Sequence, residues 1–285
     1  MIEVTNLSYS YPLQRQSTIH EISFSINKGE IFGFLGPSGA GKSTTQKILI
    51  GLLKGYQGSV KVLDEEVRQL NEDYYERIGV AFEFPHFYSK FTAYENLTHF
   101  RRLYSGPTVD PLELLETVGL SAARDTKLSA FSKGMKMRLN FCRALLNQPD
   151  VLFLDEPTSG LDPVNAKMMK QQILALKEAG KTIVLTTHNM ALAESICDRV
   201  AFMVEGKISL IDSPKQLKID QGKKTVQIEY QLANGNLGLK TFSLTGLKTN
   251  EEFLNLLEKD QLVTIHTQEA TLEDIFIDVT GRSLV

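Results

Sequence analysis

The stretch Gly36-Pro37-Ser38-Gly39-Ala40-Gly41-Lys42-Ser43 spaces its glycines, a lysine and a hydroxyl so that a chain can wrap an anion. It follows the pattern G-x-x-x-x-G-K-[ST], between a predicted strand and a predicted helix. The glycines let backbone N–H groups turn inward around phosphate oxygens, and the helix start adds the positive end of its dipole. Lys42 can reach the β and γ phosphates, Ser43 can ligate magnesium, and Thr44 carries the loop into the helix. A chance glycine-rich turn would share the composition but not the strand and helix around it. A second candidate is Val151-Leu152-Phe153-Leu154-Asp155, an apolar run that ends in an acid able to anchor the metal. Glu156 follows and could polarise a water aimed at the γ-phosphate. Alone, adjacent acids could as well cap a loop; beside a phosphate loop they read as metal and water ligands.

These side chains need a scaffold. Ile2 to Tyr11 and Ile22 to Ile26 alternate as strands do. Glu30 to Leu35 is a short apolar strand, and the helix opening near Lys42 runs to Leu53, with Gly55 as its stop. Gly58 to Leu63 reads as a strand, and Asn71 to Val118 mixes short helices with aromatic loops. Helices are expected over Lys136 to Leu146, Asn165 to Ala179 and Ala191 to Cys197. Strands are expected over Val151 to Asp155, Thr182 to Thr187 and Arg199 to Val204. Buried strands alternating with helices argue a parallel sheet with helices on both faces. After about Leu217 the pattern shifts. Thr225 to Tyr230 and Leu239 to Leu244 resemble a hairpin around Asn234-Gly235-Asn236. Helices at Glu251 to Leu257 and Leu272 to Ile277 and a strand at Leu262 to His266 complete a small α+β appendage. The boundaries expected are 1–217 for the main domain, with a helical subdomain over about 84–150, and 218–285 for the appendage.

Composition narrows the function class. The chain has 285 residues, a net charge of -3, 42% hydrophobic and 23% charged residues, ordinary values for a globular protein. The slightly acidic balance gives no general pull toward nucleic acid. Cys142 and Cys197 have no CxxC partner, so buried thiols are expected rather than a disulfide or zinc site. The start, Met-Ile-Glu-Val-Thr-Asn, lacks a signal pattern, and no apolar run approaches a membrane span. Any membrane role must come through a partner.

Taken together, these residues resemble the ATP-binding-cassette (ABC) family, in particular single-cassette subunits of bacterial drug and antibiotic exporters, over nearly the whole chain. Asp155-Glu156-Pro157-Thr158-Ser159-Gly160-Leu161-Asp162-Pro163 is the most specific stretch, joining the metal aspartate, the catalytic glutamate and the dimer-contact aspartate Asp162. His188, after Ile183-Val184-Leu185-Thr186-Thr187, matches the family's switch histidine. The signature, usually Leu-Ser-Gly-Gly-Gln, stands here as Phe131-Ser132-Lys133-Gly134-Met135. Ser132 and Gly134 are retained, whereas Lys133 could add phosphate attraction or simply be solvated. Tyr11 matches the adenine-stacking aromatic. Glu83 stands where the family usually has a glutamine that touches magnesium and the attacking water; a carboxylate can also ligate magnesium.

The resemblance implies an α/β P-loop ATPase fold with a mixed, mainly parallel sheet, a helical signature subdomain and the small C-terminal appendage. It implies ATP and Mg2+ as ligands, with catalysis by Glu156, His188 and Lys42. The phosphate loop, Tyr11, Ser132, Lys133, Gly134 and Asp162 would bind nucleotide, and Ser43, Glu83 and Asp155 would hold the metal. Because the signature of one cassette closes over the phosphate loop of another, two cassettes are needed, as a homodimer or with a related subunit. The second partner is a membrane-spanning permease, which would seat this chain on the cytoplasmic face of the cell membrane; some of Phe84 to Phe91 would face it. A cassette acting on ribosomes or DNA, a weakly hydrolysing regulatory module and an importer subunit are the competing readings. The first usually carries two cassettes or a long coiled coil, and neither is present.

Overall fold

The computed structural model describes residues 1–12, 17–220, 225–232, 235–258, 262–268 and 270–283. They form two compact units, Met1–Ser213 together with Ser283, and Pro214–Arg282. The division falls ahead of Leu217, because that residue lies inside a helix of the second unit, Pro214–Asp220.

The first unit opens with β1 (Ile2–Tyr9), β2 (Ile19–Ile26) and β3 (Ile31–Leu35), followed by α1 (Lys42–Leu49). β4 (Gln57–Val62), β5 (Glu65–Glu66), α2 (Glu72–Arg77) and β6 (Ile78–Ala81) come next. A helical stretch holds α3 (Ala93–Arg101), α4 (Pro111–Thr117) and α5 (Lys133–Leu145). The unit closes with β7 (Val151–Asp155), α6 (Pro163–Glu178), β8 (Thr182–Thr187), α7 (Met190–Ile196), β9 (Arg199–Val204) and β10 (Lys207–Asp212).

The strands divide between two sheets. The larger has six, in the order β10-β9-β3-β8-β7-β6, with every pair parallel except β10 against β9. Its inner strands Ile31–Leu35, Val151–Asp155 and Thr182–Thr187 are buried at every residue. This is why they read as continuous apolar runs. The smaller sheet, β2-β1-β4-β5, is antiparallel, and β2 alternates buried with exposed positions. Phe24 of β2 stacks on Phe32 of β3 with centroids 5.9 Å apart, bringing the two sheets together in one core.

Several element ends differ from the expectation. α1 stops at Leu49 because Gly51 takes a left-handed φ of 86°; Gly55 comes after the helix has ended. α5 begins at Lys133, ahead of the expected Lys136, because Ser132 accepts from the Met135 N–H and caps it. β1 ends at Tyr9, so Tyr11 lies beyond the strand.

The second unit contains α8 (Pro214–Asp220), β11 (Thr225–Gln231), β12 (Leu237–Ser243), α9 (Glu251–Glu258), β13 (Leu262–Gln268) and α10 (Leu272–Thr280). Its sheet is antiparallel in the order β12-β11-β13. Val226, Ile228, Phe242 and Leu256 form its core. β11 and β12 do pair as a hairpin; Asn234 of the expected turn lies outside the described residues. Among the described residues, no helix is long and apolar enough to cross a membrane.

Candidate functional site

The phosphate loop spans the end of β3 and the start of α1. Gly36 is required by close approach: a Cβ there would stand 2.0 Å from the Met203 carbonyl oxygen of β9. On the far side, the Gly206 N–H donates to the Ala40 carbonyl at 2.9 Å. The loop is thus fixed by main chain from the β9–β10 turn. Lys42 is buried at its C-terminal end, and its ammonium donates to the carbonyls of Gly36 at 2.6 Å and Pro37 at 2.9 Å. Burial lowers its pKa, while Glu156, Asp155 and Glu83 pull in the opposite direction. The cation is thereby held in the middle of the loop with carboxylates on its far side.

Two of those carboxylates stand at the end of β7, Asp155 as its last residue and Glu156 just beyond it, while Glu83 follows β6. Parallel pairing sets Asp155 opposite Thr186 on β8. The Thr186 hydroxyl donates to Asp155 Oδ1, and so does Ser43 Oγ at 3.3 Å. Glu156 takes a left-handed φ of 48°, a conformation that costs a non-glycine residue about 1–3 kcal/mol. The backbone turn is secured by the Glu156 N–H on the Thr186 carbonyl at 2.9 Å. It aims the carboxylate at three groups: Thr187 Oγ1 at 2.9 Å, the His188 N–H at 2.9 Å and His188 Nδ1 at 2.7 Å. The imidazole itself remains 62% exposed, so its other nitrogen stays accessible to solvent or ligand.

Ser38 through Thr44, Glu83, Asp155 and Glu156 line one cleft of about 330 Å³. Gly36 and Pro37 hold Lys42 from behind it. A neighbouring depression, lined by Tyr11, Thr18, His20, Gly39 and Lys207, is large enough for a flat ring. The Tyr11 hydroxyl is 3.2 Å from Thr44 Oγ1, and its ring meets Tyr9 edge-on at 5.1 Å. Ser132, Lys133, Gly134 and Asp162 are not among the cleft residues. Ser132 caps α5 and Asp162 caps α6, accepting from the Val164 and Asn165 N–H groups. The Asn165 side chain is the main reason the Asp162 carboxyl titrates below its ordinary value.

Thr186 and Thr187, whose hydroxyls hold Asp155 and Glu156, are positions that motif reading passes over. Their signal was two hydroxyls at the end of an otherwise aliphatic strand. The one local signal of the β9–β10 turn is Gly206, which takes a left-handed φ of 73°. A further groove, about 780 Å³, is lined by Phe82, Phe84, His86, Phe100, Tyr104 and Arg143. The Arg143 guanidinium lies 5.2 Å from both the Phe87 and Phe100 rings. Phe84 and Tyr88 are 68% and 51% exposed, whereas Phe87 is half-buried.

A parallel sheet with its lysine, hydroxyl and acids converging at the strand ends defines a nucleotide-binding P-loop ATPase. Residues 19–159 match the family described as ABC transporter, and residues 224–269 match the fluoroquinolone efflux ABC transporter C-terminal domain. A fluoroquinolones export ATP-binding protein of Mycobacterium tuberculosis is 50% identical over 100% of this chain and 94% of its own. A Nod factor export ATP-binding protein of Burkholderia pseudomallei is 36% identical over 93% and 92%. Among solved structures, a dimeric post-hydrolysis ATP-binding cassette bound to ADP and Pi superposes with a TM-score of 0.67. It is 26% identical and covers 75% of this chain and 98% of its own. An ATP-binding subunit of an ABC transporter gives a TM-score of 0.70 at 27% identity, over 78% and 93%. The chain belongs to the ABC transporter family. It is the ATP-binding, ATP-hydrolysing subunit of an exporter.

Proposed function

We propose that two copies of this cassette, or one copy and a related subunit, close on ATP and drive a membrane-spanning permease that expels fluoroquinolone-type drugs. The observation that carries the hydrolytic part is the convergence of Lys42, Ser43, Asp155 and Glu156 on one cleft. Lys42 neutralises the β and γ phosphates, the loop amides take their oxygens, and Tyr11 offers its ring to the base. Glu156 accepts a proton from the attacking water. Thr187 and His188 fix which oxygen faces it, and His188 reaches toward the γ-phosphate.

The donor set suits magnesium. Ser43 Oγ and Asp155 Oδ1 are hard oxygens 3.3 Å apart, with Glu83 in the same cleft. Among the described residues, no group of three or more His, Cys, Asp or Glu could hold a metal. That sparseness matches an ion that keeps waters and takes phosphate oxygens as its other ligands. When bound, magnesium neutralises charge developing on the phosphate oxygens.

Ser132, Gly134 and Asp162 act across the dimer, Ser132 and Gly134 by presenting the N-terminus of α5 to the partner's nucleotide. The aromatic groove around Phe84 and Phe100 receives the permease, which holds the chain at the membrane. The cargo reading is supported by a relative named for fluoroquinolones that matches both units.

In Glu156→Gln the carboxylate can no longer take the proton, while size and most hydrogen bonds remain. MgATP turnover should fall by about 10²–10⁴-fold with nucleotide affinity kept. Near-normal turnover would overturn the role of Glu156. For the cargo, cells expressing the chain with its permease should accumulate less fluorescent fluoroquinolone than cells expressing the Glu156→Gln pair; equal accumulation would reject that substrate class.

A further inference from the structure

The third position of the signature is a lysine, and its ammonium donates to Ser159 Oγ at 3.2 Å. Its stem lies across Gly160: a Cβ built there would stand 2.8 Å from Lys133 Cδ, 3.0 Å from Cε and 3.2 Å from Cγ. Gly160 has a left-handed φ of 73°, so the turn is shaped for a residue without a side chain and leaves the stem room. The neighbouring signature glycine reaches the same turn, since a Cβ on Gly134 would lie 3.2 Å from the Gly160 carbonyl oxygen.

That turn carries Glu156. The Ser159 N–H donates to the Glu156 carbonyl at 3.0 Å, closing the bend just after the left-handed acid. Two segments distant in sequence, the start of α5 and the acid-bearing turn, therefore meet in one joint, and Lys133 is the side chain that fastens it.

We infer that Lys133 is a positioning residue for Glu156, acting through Ser159 of its own chain, and not a ligand of the partner's phosphates. A lysine aimed across a dimer interface would leave its own turn free. Here the side chain from Cγ to Nζ rests on Ser159 and Gly160. The inference rests on the paired-cassette reading above and carries it further. The signature that covers one nucleotide is fastened to the turn that aims the carboxylate at the other. Closure over one phosphate group is thereby transmitted to the opposite active centre.

The test uses the full chain and its MgATP turnover in Lys133→Met, Lys133→Arg, Ser159→Ala and the double variant Lys133→Met/Ser159→Ala. A single solvent-exposed hydrogen bond of ordinary net strength predicts a kcat about three- to tenfold lower in Lys133→Met, with KM for ATP unchanged. Lys133→Arg, which keeps a stem and a donor, should recover most of it. Ser159→Ala should lose as much as Lys133→Met, and the double variant no more than either. A raised KM with kcat kept, or losses that multiply in the double variant, would overturn the assignment. A second arm measures the ATP concentration for half-maximal dimerisation by sedimentation in the Glu156→Gln background. No change on adding Lys133→Met is expected; a marked rise would mark a phosphate contact and reject the inference. A parent chain without turnover would fail the hydrolytic reading itself. An active parent with the wrong variant pattern fails this inference alone.

Discussion

Two of the three sheets described, one in each unit, use the same aliphatic residues under opposite constraints. In the six-stranded sheet, Phe32, Phe153 and Val184 sit on strands covered on both faces, and on those strands polar side chains stand at the ends, at Thr182, Asp155, Thr186 and Thr187. In the three-stranded sheet, Val226 and Ile228 are buried on one face of β11 while Leu237 and Leu239 of β12 are 63% and 57% exposed. Among the described residues, every buried polar or charged side chain lies in the first unit. Burying a polar group is costly unless it is paired. The first unit bears that cost at Lys42, Asp155 and Glu156 and surrounds them with partners, whereas the second has no comparable group. The difference separates a unit that does chemistry from one that presents surface.

The comparison breaks most sharply at Gly36. In Gly36→Ala the new methyl would meet the Met203 carbonyl oxygen at 2.0 Å, and both groups are backbone-anchored. A displacement costing about 3 kcal/mol corresponds to roughly 100-fold weaker MgATP binding. Titration with a fluorescent nucleotide reads this, and affinity within threefold of the parent would show that the loop yields freely.

The converse substitution is Ile228→Ala. It empties the core of the second unit and should lower that unit's stability by about 2–5 kcal/mol, seen as an earlier calorimetric transition. Nucleotide affinity should hold within about twofold, because the wells of two separately cored units add independently. A parallel fall in affinity would show that the two units share their stability.

The smallest expected effect concerns Cys142 and Cys197. Both are buried, and desolvation raises both thiols far above their ordinary range. The thiolate is the reactive form, so iodoacetamide at pH 8 should label neither until the protein unfolds. Because the folded pKa lies above the unfolded one, this contribution to stability is complete below the ordinary thiol pKa and lost as pH rises past about 9. Rapid labelling of native protein, read by mass spectrometry, would contradict the burial.

Much of the first unit is legible in its residues, and the reason is local. Val151–Asp155, Thr182–Thr187 and Arg199–Val204 are found with their ends intact because uninterrupted apolar runs mark strands covered on both faces. β6 and β10 escaped notice. The first has only four residues, and the second is an edge strand that is at most half-buried throughout. That β1, β2 and β4 form a separate sheet depends on register, which no short window contains. The phosphate loop is contiguous and therefore visible. The bonds from Thr186 and Thr187 to the acids follow from parallel pairing of β7 with β8 and are not. Lys133 reads equally well as a phosphate ligand or a solvated charge, because its partner Ser159 is 26 residues away.

The main-chain fastening of the phosphate loop bears on how this protein can diversify. Gly206 donates to Ala40 and accepts from the His20 N–H at 2.8 Å, and Met203 meets Gly36 through its carbonyl. Each tie runs through main chain, yet Gly206 is itself required, since its φ is 73° and a Cβ there would stand 2.2 Å from the Thr18 carbonyl oxygen. Drift at the other side chains of that hairpin should leave the loop undisturbed, whereas replacing Gly206, or adding or removing a single residue there, would shift the ties at once. The nucleotide cradle of this protein thus leans on one glycine and on the length of its supporting hairpin, and little on the other side chains there.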